Sequence, residues 1–173
     1  MAIEVSSINV IDNSRRLSNV ANSTLEGTTT YLGCPIEKAL VNVSNVTANI
    51  TFSPYSQSVV YFAANSNSNT TVTVNFTGLS NLTSGNVLTG TVLITNNATF
   101  NAYISAVQID GSATSVAGTG GTVLVNGTPT GNTIRWLSSR PTGGSANVEV
   151  YSFSIFKNTS SSYLVLGSKS NFV

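Results

Sequence analysis

The feature that most limits the fold is a series of short apolar runs from Val41 onward, each bounded by clusters of Gly, Asn or Ser. The segment Thr71–Phe76 is the clearest, because its Val and Phe side chains lie on one face of an extended backbone and its Thr side chains lie on the other. Alternation of this kind between turn-forming residues is typical of half-buried β-strands. The sequence therefore predicts an all-β fold.

Segments with this pattern recur along the chain, and we expect them to form an antiparallel β-sandwich of the jelly-roll kind. Helix formers such as Glu, Lys and Gln are scarce, and the best short helix candidate is Pro35–Leu40, with Pro in a first-turn position. Asn126-Gly127 is the best two-residue hairpin candidate, and Asp110-Gly111 is predicted to end a strand and start a turn. The predicted strands are Leu40–Val46, Asn49–Phe52, Ser58–Ala63, Thr71–Phe76, Gly90–Thr95, Ala102–Ile109, Thr122–Val125, Thr133–Leu137, Asn147–Lys157 and Ser162–Leu166.

The N-terminal residues 1–33 have a different pattern, because their apolar side chains are separated by Asn, Ser, Thr and charged residues. Such a segment cannot close a hydrophobic core alone, so it must lie along its own domain or along a neighbouring subunit. We therefore predict two parts. Residues 1–33 form an extended arm for attachment or subunit contact, and residues 34–173 form the β-sandwich domain.

Charged residues make up only 8% of the chain, histidine is absent and Cys34 is the single cysteine. Without histidine, Ser-His-Asp and Cys-His catalysis is excluded, and so are zinc or iron sites that depend on His or on several Cys. No spacing among the few acids suggests the paired carboxylates of a glycosidase. A cation with oxygen ligands at Asp12, at Asp110 or at a pair of Glu side chains stays open, although a turn is favoured at Asp110. The composition predicts a protein that is not an enzyme and has no cofactor.

The net charge of the chain is +1 with an isoelectric point near 7.8, and Arg15-Arg16 is the only close basic pair. This balance gives no electrostatic footprint for phosphate backbones or anionic lipids. No apolar stretch approaches the roughly 18 residues of a membrane-spanning helix, and the N-terminus lacks the pattern of a secretory signal. We therefore expect synthesis in a cytosol, with neither nucleic acid nor membrane as a partner.

Trp136 is the single tryptophan, and alternation places it on one face of its strand with Arg135 on the other. Packing in the sandwich core is favoured for this ring, with a subunit interface and a glycan contact as alternatives. Tyr151 and Phe153 share a face of a strand that is apolar on parts of both faces, which predicts a central strand or one between subunits. The candidate interface or glycan contacts are Arg15, Arg16, Trp136, Tyr151 and Phe153.

A set of segments follows one another in a recognisable order: a tryptophan strand, a short loop with Pro141, a strand of the type Val-x-Val-Tyr-x-Phe and a closing aromatic strand that ends in Gly-Ser. In this order they resemble the small β-sandwich modules of tailed-bacteriophage virion proteins, found in tail fibres and on capsid surfaces. The arm is similar to a short element of phage fibre stems. The segments that carry the resemblance are Ile134–Leu137, Asn147–Ile155, Tyr163–Ser168, Thr70–Phe76, Gly90–Ile94 and, in the arm, Val10–Val20.

The resemblance implies a non-enzymatic virion structural protein, made in the bacterial host cytoplasm and located on the virion. It implies self-association, expected to be trimeric, as a capsid decoration protein or as a short fibre or adaptor. Its partners would be its own copies and another virion protein, such as the major capsid protein or a tail component. The alternative is a tail-fibre module that binds a receptor or host surface glycan, through Tyr31, Tyr55, Tyr103 or Trp136 beside polar loops.

Overall fold

The computed structural model describes residues 3–5, 8–11, 38–116, 133–138, 140–144, 147–159 and 162–172. The chain divides into two units, Met1–Ile36 and Glu37–Val173, whereas the sequence analysis placed the boundary between residues 33 and 34. In the N-terminal unit the structure describes only an antiparallel pair of strands, β1 (Ile3–Val5) and β2 (Ile8–Ile11). Arg15, Arg16, Tyr31 and Cys34 lie outside the described residues.

Strands dominate the described residues of the second unit, which confirms the predicted all-β fold. The one helical element described is a single turn of 3-10 helix, Leu79–Asn81. The strands are β3 (Ala39–Asn42), β4 (Asn49–Phe52), β5 (Val59–Phe62), β6 (Thr70–Phe76), β7 (Val87–Thr95), β8 (Ala102–Ile109), β9 (Ser112–Ala113), β10 (Ser115–Val116), β11 (Thr133–Trp136), β12 (Val148–Thr159) and β13 (Ser162–Phe172).

Two strand predictions, Asn49–Phe52 and Ala102–Ile109, are confirmed at both ends. The first predicted strand ends at Asn42 and not at Val46. The predicted helix Pro35–Leu40 is wrong at its end, because Ala39 and Leu40 pair with β5 as part of β3. The predicted strand Thr122–Val125 and the hairpin at Asn126-Gly127 lie outside the described residues.

The strands form two sheets, one of seven strands in the order β10-β11-β13-β12-β7-β5-β3 and one of four in the order β4-β6-β8-β9. From β3 to β8 each successive strand belongs to the other sheet. Strands β3, β5 and β7 are therefore parallel neighbours in one sheet, and β4, β6 and β8 are parallel neighbours in the other. The predicted antiparallel arrangement is wrong for these pairs. Parallel neighbours need a crossover connection, and here the intervening strand of the opposite sheet supplies it.

The long strand β12 lies in the middle of the seven-stranded sheet, antiparallel to both β7 and β13. Its inward residues are all buried: Glu149, Tyr151, Phe153, Ile155 and Lys157. The row is apolar or aromatic in its middle and charged at both ends. This arrangement confirms the prediction of a central strand.

Aromatic rings from both sheets meet in the core. The ring centroids of Phe76 and Phe153 are 5.2 Å apart, those of Phe52 and Phe76 are 5.3 Å apart, and those of Trp136 and Phe153 are 5.9 Å apart. Aromatic pairs at such distances and tilts add about 0.5–1.5 kcal/mol beyond the area that they bury. The four rings connect the two sheets across one hydrophobic core.

Two glycines make room for these rings. Phe153 is in register with Gly90 on one neighbouring strand and with Gly167 on the other. A Cβ atom at Gly90 would lie 2.8 Å from the Phe52 ring, and one at Gly167 would lie 2.9 Å from the Trp136 ring. The aromatic side chains therefore occupy the space that side chains would fill at these two positions.

Candidate functional site

The residues predicted as contacts are mostly buried. Tyr151 is 0% exposed and Phe153 is 2% exposed, so both pack in the core and neither presents a ring to a partner. Their burial does not favour the prediction that they are interface or glycan contacts, because β12 directs both side chains between the two sheets. Trp136 is 9% exposed and its ring packs on Phe153, which fits the core position favoured in the sequence analysis.

The two charged ends of the β12 row are each satisfied inside the protein. At one end the Glu149 carboxylate accepts a hydrogen bond from the Tyr151 hydroxyl and lies 2.8 Å from the Lys169 ammonium. Burial and the neighbouring Glu149 raise the pKa of the Tyr151 phenol far above its usual value, because both disfavour a phenolate. The Lys169 ammonium also donates to the Gly143 carbonyl at 2.8 Å, which attaches the loop before β12 to the sheet.

At the other end, buried Lys157 donates to the Ser80 carbonyl at 2.8 Å and lies over the Tyr163 ring. The Tyr163 hydroxyl donates to the Leu79 carbonyl at 2.7 Å. The backbone N–H groups of Gly78 and Ser80 donate to the Asp110 carboxylate. A carboxylate thus lies at the N-terminus of the 3-10 turn and an ammonium at its carbonyls, as the peptide dipoles favour.

The predicted turn at Asp110-Gly111 is confirmed. Both residues have positive φ, 47° and 82°, and they connect the paired residues Ile109 and Ser112. Positive φ at both central positions is the signature of a type I′ hairpin turn. Because the carboxylate of Asp110 is bonded to backbone N–H groups, the turn also fixes the 3-10 helix.

The outer faces of the two sheets differ in chemistry. On the four-stranded sheet the outward side chains are mainly Thr, Asn and Gln: Asn49, Thr51, Thr71, Thr73, Asn75 and Gln108, with Tyr103 and Ala106. On the seven-stranded sheet, two cross-strand rows are apolar and Thr and Ser lie between them. The outward apolar residues include Val41, Val59, Tyr61, Val87, Leu93, Val150, Phe156, Leu164 and Leu166, and we call this surface the apolar face.

Several side chains of the apolar face are open to solvent. Val41 is 57% exposed, Val87 is 47% exposed and Leu166 is 41% exposed. Among the outward residues of the strands that the structure describes in this sheet, Arg135 is the one charged side chain. A groove of about 350 Å³ lies beside Leu166 and is bounded by Arg135, Ser154 and Leu137.

A second cavity, of about 280 Å³, shares Trp136 and Leu137 with this groove, and we call it the Arg140 cavity. It is lined by Trp136, Arg140, Thr142, Gly143 and Lys169 among others. A β-bulge positions Arg140: Val72 pairs with Ile104 and Thr73 with Ala106, which leaves Ser105 as the extra residue. The Ser105 carbonyl accepts a hydrogen bond of 2.9 Å from Arg140 Nε.

The sequence analysis singled out Trp136 at this cavity but missed Arg140 and Lys169. The sequence did contain a signal for Arg140. This residue directly precedes Pro141 in the loop after the tryptophan strand, and cationic side chains are rare in this chain. Lys169 gave no signal, since its role depends on pairing with Tyr151 across the sheet.

Among the described residues no group of three or more His, Cys, Asp or Glu side chains is placed to hold a metal ion. In the same part of the chain no helix is long and apolar enough to cross a membrane. Comparison of the chain with protein-family models, with curated proteins and with solved structures finds no match. We therefore infer the function from the geometry of the two sheets and from the resemblance in the sequence.

Proposed function

We propose that this protein is a non-enzymatic structural protein of a tailed-bacteriophage virion. Made in the bacterial cytoplasm, it self-associates on the particle surface, as a trimer, and serves as a capsid decoration protein or as a short fibre or adaptor. Its second partner is the major capsid protein or a tail component. Its two sheets form a β-sandwich with parallel as well as antiparallel neighbours.

The observation that carries this proposal is the apolar face. Apolar side chains that a soluble protein leaves open to water over several neighbouring strands often mark an interaction site. Here two apolar rows cross neighbouring strands of the seven-stranded sheet, while the equivalent face of the four-stranded sheet is polar. Covering the first face with a second copy of the chain would remove its apolar side chains from water, whereas the second face needs no cover.

The strand at one end of the seven-stranded sheet supports the same proposal. In β3, Ala39, Leu40 and Val41 are all exposed and none is charged. Proteins usually protect an edge strand with Lys, with Pro or with a bulge, because an unprotected edge pairs with other chains. A closed oligomer hides such edges without adding charge, which fits a chain with so few charged residues.

Two measurements test the proposal. Multi-angle light scattering on the folded chain should give three times the 18.0 kDa mass of one chain, and a folded monomer would contradict self-association. Mass spectrometry of purified particles of the phage that encodes the chain should detect it in fixed ratio to the major capsid protein. Its absence from washed particles would contradict the virion location, whatever its oligomeric state.

A further inference from the structure

We propose that the Arg140 cavity binds a small ligand that carries a single carboxylate, of the chemical class of an acidic monosaccharide. This inference does not rest on the proposed structural function, because it concerns one cavity of a single chain. Three observations support it: the charge of the cavity, the hydrogen bond that restrains Arg140, and the unpaired indole N–H of Trp136, which is one of the lining residues.

The cavity has a positive charge that nothing described in the protein neutralises. Lys169 and Arg140 both line it, but Lys169 is paired with Glu149. Of the acids within the described ranges beyond residue 37, Glu149 is bound to Lys169 and Tyr151, and Asp110 is bound to backbone N–H groups. Within those ranges Arg140 has no acidic partner, so the cavity has one uncompensated cation and favours one negative charge.

Arg140 is exposed, but the protein restrains its side chain. Its Nε donates to the Ser105 carbonyl at 2.9 Å, which limits the orientations of the guanidinium group. The described residues provide no further hydrogen-bond partner for its two terminal nitrogens. Paired terminal nitrogens match the two oxygens of a carboxylate, and a side chain held beforehand loses less entropy on binding.

Trp136 is one of the residues that line the cavity, and its indole ring carries a donor that lacks an acceptor among the described residues. Trp136 is 9% exposed, and its indole N–H is buried with no hydrogen-bond partner among the described residues. An unpaired buried donor is costly, so we infer that a ligand whose oxygen reaches this N–H, after a small shift of the ring, gains more than an ordinary hydrogen bond. The hydroxyl groups of Ser138 and Thr142 line the same cavity and suit the hydroxyl groups of a sugar.

Size and charge together select the ligand class. A cavity of about 280 Å³ is just below the usual range of about 300–1,000 Å³ for small-molecule sites, which suits one sugar ring. Arg140 alone would neutralise only half the charge of a phosphate dianion, because Lys169 is already paired with Glu149. A neutral sugar would make no ionic contact with Arg140. A monosaccharide with one carboxylate satisfies both the cation and the neutral donors.

Trp136 is the only tryptophan in the chain, so its fluorescence reports directly on the cavity wall. The test titrates the full chain with glucuronate, galacturonate and N-acetylneuraminate. Glucose, galactose and N-acetylmannosamine are the neutral sugars for comparison, and inorganic phosphate is the simple anion. We expect a saturable change with at least one acidic sugar, at least tenfold tighter than with its neutral counterpart or with phosphate.

Variants then locate the binding. Arg140→Gln should weaken binding of the acidic sugar at least tenfold, whereas Arg135→Gln should leave it unchanged, because Arg135 lies on the opposite face of its strand. Trp136→Phe keeps a ring but removes the N–H, and calorimetry should show weaker binding with the fold intact by circular dichroism. No saturable binding of any acidic sugar, equal binding of acidic and neutral sugars, tighter binding of phosphate, or equal effects of the two arginine variants would each overturn the proposal.

Discussion

The Lys169 ammonium lies 2.8 Å from the carboxylate of Glu149, which is 0% exposed. The same ammonium donates to the Gly143 carbonyl, so one side chain connects the inner face of the central strand to the loop that follows Arg140. Removing one partner of a buried pair leaves an uncompensated charge, which is far more costly than removing both.

Lys169→Met should therefore lower the free energy of unfolding by about 3 kcal/mol, measured by urea denaturation. The double variant Lys169→Met with Glu149→Gln should be more stable than Lys169→Met alone, because no charge is then stranded. Lys38→Met, at an exposed position before β3, is the control and should change the stability by less than about 0.5 kcal/mol. If the double variant were less stable than both Lys169→Met and Lys38→Met, this explanation of the Lys169–Glu149 pair would be contradicted.

Alkaline pH should destabilise the protein through Tyr151. The pKa of its phenol is raised by burial and by Glu149, so above about pH 10, the usual pKa of tyrosine, the unfolded chain loses a proton that the folded chain retains. The stabilisation is fully present below the unfolded pKa and falls by about 1.4 kcal/mol per pH unit above it. Tyr151→Phe should remove this part of the decline between about pH 10 and pH 12, whereas Tyr55→Phe, at an exposed ring, should not. Equal slopes in the wild type and Tyr151→Phe would contradict the assignment.

Gly167→Ala should destabilise the fold by about 1–3 kcal/mol, because the added methyl group meets the Trp136 ring at 2.9 Å. The change should also alter the fluorescence spectrum of Trp136 in the folded protein. A substitution that lowered the stability without touching this ring would leave that spectrum unchanged. Gly143→Ala is the matched control, since nothing lies within 4 Å of a Cβ atom there. Equal melting temperatures for the two alanine variants would show that the ring does not occupy this space.

Asp110→Ala should lower the stability by about 1–2 kcal/mol, because the backbone N–H groups of Gly78 and Ser80 lose their acceptor. Asp110→Asn should cost less, since the amide oxygen still accepts a hydrogen bond and Asn tolerates the positive φ of the turn. Chemical denaturation of the wild type, Asp110→Asn and Asp110→Ala gives the order of their stabilities. Asn and Ala variants of equal stability would contradict the role of the carboxylate as a cap.

The sequence predicts which residues form strands far better than how those strands pair. In Thr71–Phe76 the alternation of apolar and polar residues shows only which face of the strand is buried. The same alternation is expected whether the neighbouring strand is parallel or antiparallel. Two strand ends were predicted wrongly next to glycine. The strand predicted at Gly90–Thr95 begins earlier, at Val87, and the strand predicted at Ser162–Leu166 ends later, at Phe172. Gly90 and Gly167 stay within strands because rings from other strands cover them, a long-range packing effect that local propensity does not encode.

The candidate sites were less predictable than the fold, for a related reason. Trp136, Tyr151 and Phe153 were singled out as large aromatic residues, but their burial depends on how the two sheets pack. The position of Arg140 in its cavity depends on the β-bulge at Ser105. This bulge belongs to a strand that is distant from Arg140 in the sequence. Neither relationship leaves a local pattern in the amino-acid sequence.

The most direct test of self-association through the apolar face is the mass of matched lysine variants in sedimentation equilibrium. Leu166→Lys places a charge on the apolar face, and Thr71→Lys places one at an exposed position on the outer face of the four-stranded sheet. The account predicts that the wild type and Thr71→Lys sediment as the same oligomer and that Leu166→Lys sediments as a folded species of 18.0 kDa. An unchanged oligomer for Leu166→Lys, or a monomeric wild type, would contradict it.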